Sequence, residues 1–202
     1  MKKFFQWAAP IGYLFICMLG LTISPAYGGE VTDQLRVTVD QVIVTLRNAD
    51  LKAPDKEGER RAALRRIVDD VFDWEEMAKR SLARHWKDRT SEEKEAFTSL
   101  FSQLLERTYI TKIERYEDEK VVYGEEKIDN DYAVLKTSIE SAKGVSIPVD
   151  YRLRHKGSRW LVYDIVVEGV SLVNNYRTQF AKMLQSGSYE ELVRRLEEKV
   201  KG

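Results

Sequence analysis

The stretch VSIPVDYRLRHKGSRWLVYDIVVE, residues 145–168, decides how the chain folds. In its first half Val145, Ile147, Val149, Tyr151 and Leu153 alternate with Ser146, Asp150, Arg152 and Arg154, the period of two of a strand with one buried face. Lys156-Gly157-Ser158 reads as a turn. Beyond it Trp160, Leu161, Val162, Tyr163, Ile165, Val166 and Val167 make both faces apolar, which predicts a strand covered on both sides. So short a link forces the two strands to lie antiparallel.

Working outward, Val121 to Glu125 and Tyr132 to Ser141 are two further strands, set off by Asp129-Asn130-Asp131 and Lys143-Gly144. Before Glu119 the period is helical. Val31, Leu35, Val39, Val42, Ile43 and Leu46 mark a helix from Glu30 to Leu51, and Leu64, Ile67, Val68, Val71 and Phe72 mark a second. A short helix spans Asp73 to Leu82. Thr90-Ser91-Glu92-Glu93 reads as the capped start of a long one reaching about Arg115. Two helices close the chain, Ser171 to Leu184 and Tyr189 to Lys199. The expected fold is α+β: a curved antiparallel sheet of about four strands packed against N-terminal and C-terminal helices.

The first 28 residues carry an export pattern. Lys2 and Lys3 precede an apolar run from Ile11 to Ile23, and Ala26-Tyr27-Gly28 supplies the small residues of a cleavage site. Residues 1–28 are therefore expected to be a signal peptide and residues 29–202 a single domain in the periplasm. Loss of Lys2 and Lys3 leaves 31 basic against 33 acidic residues. That balance gives no electrostatic case for a nucleic-acid partner. Cys17 is the one cysteine and lies inside the signal, so the exported domain has no thiol chemistry.

Catalytic constellations do not assemble from the remaining residues. His85 and His155 have neither a second histidine nor a carboxylate at metal-ligand spacing, and no phosphate loop or nucleophile elbow is present. Asp73 with Glu75 and Glu76, or Asp164 alone, are carboxylates in a chain one-third charged, where pairing or solvation is the rule. Arg60, Arg61, Arg65 and Arg66 read as a solvated helix face balanced by Asp55, Glu57, Glu59, Asp69 and Asp70. The expectation is a protein that is not an enzyme and holds no metal or cofactor.

Several blocks in register resemble one family. They are FDWEEMAKRSLARHW (Phe72 to Trp86), TSEEK (Thr90 to Lys94), FSQLLERTY (Phe101 to Tyr109), WLVYDI (Trp160 to Ile165), EGVSL (Glu168 to Leu172) and NYRTQF (Asn175 to Phe180). In order and spacing they are similar to the MlaC family of periplasmic phospholipid carriers, also known from toluene-tolerance operons. The resemblance implies a lipid-carrier domain that shuttles phospholipid between an outer-membrane lipoprotein–porin complex and an inner-membrane transporter containing an MCE protein and an ATPase. It also implies that the acyl chains sit in an apolar pocket between sheet and helices, with the head group toward solvent.

On that reading the pocket wall is expected from the strand residues Val134, Ile139, Ile147, Val149, Tyr151 and Leu153, continued by Trp160, Val162 and Ile165. The helices add Phe101, Leu105 and Tyr109, then Leu172, Tyr176 and Phe180, with Tyr109, Tyr151 and Tyr176 near the mouth. The competing reading is a periplasmic adaptor with a filled core that acts only through protein contacts. Both need the same apolar residues. The signal-peptide reading has its own check: N-terminal sequencing of protein recovered from the periplasm should begin at Gly29 or within a few residues of it, and Met1 found in a membrane fraction contradicts it.

Overall fold

The computed structural model describes residues 28–201, so all of the expected signal peptide but Gly28 lies outside the described residues. Four helices come first: α1 (Glu30–Arg47), α2 (Glu57–Val71), α3 (Trp74–Leu82) and α4 (Ser91–Glu114). The strands are β1 (Lys120–Asp129), β2 (Tyr132–Glu140), β3 (Ser146–Lys156), β4 (Arg159–Val167) and β5 (Val170–Ser171), and α5 (Leu172–Ser186) and α6 (Tyr189–Lys201) follow. The fold is α+β, as the change of period predicts. All five strands form one antiparallel sheet in chain order.

Local chemistry sets the boundaries. The Thr90 side chain accepts from the Glu93 amide and the Glu93 carboxylate accepts from the Thr90 amide, the reciprocal cap read from the sequence. Gly157, at φ +68°, opens the two-residue turn between β3 and β4. The sheet has a fifth strand because Glu168 and Gly169, at φ 50° and 80°, reverse the chain at once and pair Val170 and Ser171 with Val167 and Val166. Two residues are too few for a period to reveal. β1 is longer than its alternation suggests because a bulge at Gly124 and Glu125 breaks the pairing between Tyr123 and Glu126. α1 stops at Arg47, and Ala49–Leu51 forms a tighter turn in which the Asn48 side chain accepts from the Asp50 amide.

The sheet separates two apolar cores. On one side Val31 and Leu35 of α1 and Val71 of α2 pack on Ala133, Leu135, Leu153, Trp160 and Val162. On the other side α3 through α6 build a helical core around Met77, Leu82, Phe97, Phe101, Phe180, Leu192 and Leu196, with Tyr163 of β4 packed against it. β4 is thus covered on both faces. Phe72, between α2 and α3, packs against both cores and makes a parallel bridge to Val162.

The arginine stripe of α2 meets two of the acids expected from its own helix, Glu57 with Arg61 at 2.6 Å and Asp69 with Arg65 at 3.4 Å, but it also ties α2 to α4. Arg60 Nη2 and Arg61 Nη2 each reach Glu114 of α4 at 2.8 Å, and Arg65 pairs with Glu106 of the same helix. Only Arg66 stays exposed, with its guanidinium on the Ala62 carbonyl. Burial opposes ionisation of Glu114, yet the hydrogen bonds from Arg61 and Arg60 outweigh it and hold its carboxyl below the ordinary 4.5. A depressed carboxyl stabilises the fold above its unfolded value and loses that contribution as pH falls through its folded value. Glu114→Gln is therefore expected to cost about 1.5–3 kcal/mol near neutral pH, and the gap to the parent protein should close on acidification below about pH 4. Denaturant titrations at a series of pH values read this directly; a gap that stays constant down to about pH 3 contradicts the assignment.

Candidate functional site

The site is built on the sheet face that α1 and α2 cover. Register places Ile139 opposite Ile147, Leu135 opposite Tyr151 and Ala133 opposite Leu153, and on the next strand Tyr151 faces Ile165 and Leu153 faces Val162. Eight of the expected wall residues therefore share one face: Ile139, Ile147, Val149, Tyr151 and Leu153, with Trp160, Val162 and Ile165 beside them. Val134 does not join them. It pairs with Arg152 and points to the opposite side, because neighbours along a strand alternate.

Burial along this face is uneven. Leu135, Leu153 and Val162 are closed off under Val31 and Leu35, whereas Ile139, Ile147, Tyr151 and Ile165 are only half-buried. The covering helices show the same interruption. On α1, Val31, Leu35 and Leu46 are buried while Val39 and Val42 between them are half-buried. On α2, Leu64 and Val71 are buried while Ile67 and Val68 between them are half-buried. Both helices are thus closed against their neighbours at the ends of their stripes, and apolar surface stays accessible in the middle. Leu46, Leu64 and Ile110 make the closed contact at one end, with Tyr116 beside them.

The remaining expected residues lie elsewhere. Phe101, Leu105, Tyr176 and Phe180 belong to the helical core on the far side of the sheet, where Phe101 meets Tyr176 at 5.3 Å and Phe180 at 5.8 Å between ring centroids. Tyr109 and Leu172 are half-buried at the border of that core. Tyr176 is buried and so cannot stand at a mouth, which corrects the expectation for it. These residues were grouped with the sheet because an amphipathic stripe reports an inward face without saying which interior it meets.

Two tyrosines stand out on the sheet face. Burial pushes the Tyr151 phenol up to about 12, although its side chain keeps some accessible surface. Tyr123 of β1, also pushed up to about 12 by burial and then by Asp40, sits opposite Thr137 one row away. It was missed because Val121, Val122 and Tyr123 are apolar in succession and show no alternation that would put one of them on this face.

The carboxylates weighed as acid–base groups are structural. Asp164 accepts from the Val173 amide, the Ser171 hydroxyl and Arg152, which starts α5. Asp73 accepts from the Glu76 amide and from Arg154 at 2.6 Å, and Glu76 pairs with Arg80 at 2.8 Å. His155 packs against Trp160 at 4.9 Å, and His85 accepts from Arg84. A separate cleft of about 580 Å³, between α2, α4 and the end of α6, is lined by polar and charged groups including Arg61, Arg65, Glu106 and Arg107.

Relatives connect this geometry to known proteins. The family model described as MlaC protein matches residues 36–198. The chain is 25% identical over 122 residues to the intermembrane phospholipid transport system binding protein MlaC of Haemophilus influenzae, covering 58% of this chain and 57% of the relative. It is 26% identical over 125 residues to the toluene tolerance protein ttg2D of Pseudomonas putida, covering 61% of this chain and 58% of that one. The matches thus span somewhat over half the length of these curated relatives. A phospholipid-binding protein from Ralstonia solanacearum, solved in complex with a phospholipid, superposes with a TM-score of 0.73 at 25% identity, over 84% of this chain and 96% of the other. With a family match running from the first helix to the last, this chain belongs to the MlaC family.

Proposed function

We propose that this protein is a non-enzymatic periplasmic phospholipid carrier, and that the acyl chains lie between the sheet face and helices α1 and α2. The observation that carries the reading is the incomplete burial: Val39 and Val42 of α1 and Ile67 and Val68 of α2 keep accessible apolar surface between buried ends, and Ile139, Ile147, Tyr151 and Ile165 keep it on the sheet face. A solid core has no reason to leave apolar side chains half-covered on α1, on α2 and on the sheet face alike. The phospholipid in the solved complex of the Ralstonia solanacearum relative supports the carrier reading.

The energetics ask for such a space. Each acyl CH₂ removed from water contributes roughly 0.8 kcal/mol, so two chains of about 16 carbons face roughly 25 kcal/mol if they cross water bare. A carrier that matched or exceeded the bilayer by much would never release its cargo. Net direction therefore has to come from the partners, an outer-membrane lipoprotein–porin complex and an inner-membrane transporter with an MCE protein and an ATPase. Nothing in the chain has to react, and no cofactor is required.

Organic extraction and mass spectrometry of the purified protein should yield about one phospholipid per chain; lipid-free protein that vesicles cannot load points instead to the adaptor reading. Ile165→Trp fills the accessible level of the face. Delipidated Ile165→Trp should keep its stability within about 1 kcal/mol and lose most bound lipid, whereas Leu135→Ala in the closed part should cost about 2–5 kcal/mol. Delipidated samples are needed because ligand raises apparent stability. Ile165→Trp protein that is strongly destabilised yet fully loaded shows that the chains lie elsewhere.

A further inference from the structure

Among the described residues Tyr123 carries a buried hydroxyl with no hydrogen-bond partner, and it lies on the sheet face assigned above to the acyl chains. Its row also holds Thr137 and Val149, but the Thr137 hydroxyl is already committed to the Val149 carbonyl at 2.6 Å. Tyr151 stands in the next row, opposite Leu135, and the two phenols are close enough for the charge of one to weigh on the other. A wall that touched hydrocarbon alone has no use for either hydroxyl, since a ligand of CH₂ groups offers no acceptor and phenylalanine fills the same volume. A desolvated donor without a partner is costly, and native proteins keep one where a ligand brings the acceptor.

The chemistry of the surroundings selects the acceptor. Leu135 is fully buried beside Tyr151, and Val149 and Ile165 flank it, so an ionised phosphate brought there would lose its water without a cation to replace it. An ester carbonyl is neutral, accepts only, and matches a phenol that stays protonated up to about 12. Arg36 lies over the Tyr123 ring, its guanidinium carbon 4.8 Å from the centroid, on the exposed side of α1. A phosphate placed a few bonds beyond the esters falls on that side, where charge stays hydrated.

We propose that the Tyr123 and Tyr151 hydroxyls donate to the ester carbonyls of the carried phospholipid, so that the protein selects diester over diether lipids. This rests on the carrier reading and deepens it. The test offers delipidated protein equimolar vesicles of dihexadecanoyl phosphatidylglycerol and of its di-O-hexadecyl ether analogue, which has the same head group and chain length, and reads the bound ratio by mass spectrometry. The parent protein should take up the diester in about three- to tenfold excess, the range of one or two neutral hydrogen bonds. Tyr123→Phe and Tyr151→Phe should each move the ratio toward one. A ratio near one in the fully loaded parent overturns the proposal and leaves the carrier reading standing, whatever the variants do. A preference that both variants retain overturns it too, and a parent protein that loads neither lipid overturns the carrier reading itself.

Discussion

The architecture turns on the Asp73 carboxylate. α2 lies on one face of the sheet and α3 on the other, so the chain has to pass around the β4 edge between them. β5 pairs only with Val166 and Val167, which leaves the edge at Val162 open. There Phe72 bridges to Val162 and the Asp73 amide donates to the Val162 carbonyl at 2.8 Å. One Asp73 oxygen then accepts from the Glu76 amide to start α3, and the other accepts from Arg154 of β3 at 2.6 Å. At 3% exposure this charge persists only because every neighbour answers it; removing one partner strands a buried ion, which costs several kcal/mol. The crossing also explains why Phe72 touches both cores, with Trp74 stacked on it at 4.9 Å and donating to Asp69.

With the crossing fixed, the two sides of the sheet do different work. The helical side is filled by interlocked rings of Phe97, Phe101, Tyr176 and Phe180, whose edge-to-face contacts leave little freedom. The α1–α2 side is closed at its ends by aliphatic contact and across to α4 by long arginine side chains on Glu106 and Glu114. Arginine spans a wider gap than a leucine pair, and its fork satisfies a carboxylate from a distance that apolar packing cannot bridge. Ionic ties at the rim and half-covered aliphatic side chains within are compatible demands. On the reading proposed above, a lipid cargo on this side would rest against a sheet whose other face is packed by those rings.

Much of this was legible in the residues. Alternation in β3, the doubly apolar β4, the capped start of α4 and the short links between strands gave an α+β antiparallel arrangement, because side-chain period and link length are local properties. Matched blocks beginning at Phe72 pointed to the family, and the first of them is the crossing segment itself. Tertiary structure decided the rest. Period tells that Val39, Ile67, Phe101 and Tyr176 face inward, but the same stripe serves a filled core and an open one, and only the placement of the opposing elements separates them. Arg61 and Arg65 do meet Glu57 and Asp69 nearby in sequence, but Glu106 and Glu114, which tie the stripe to α4, lie 41 to 54 residues away and meet it only in the fold. Tyr123 was invisible for a related reason: Val121, Val122 and Tyr123 are apolar in succession, so which of them faces inward is set by the partner strand rather than by their own sequence.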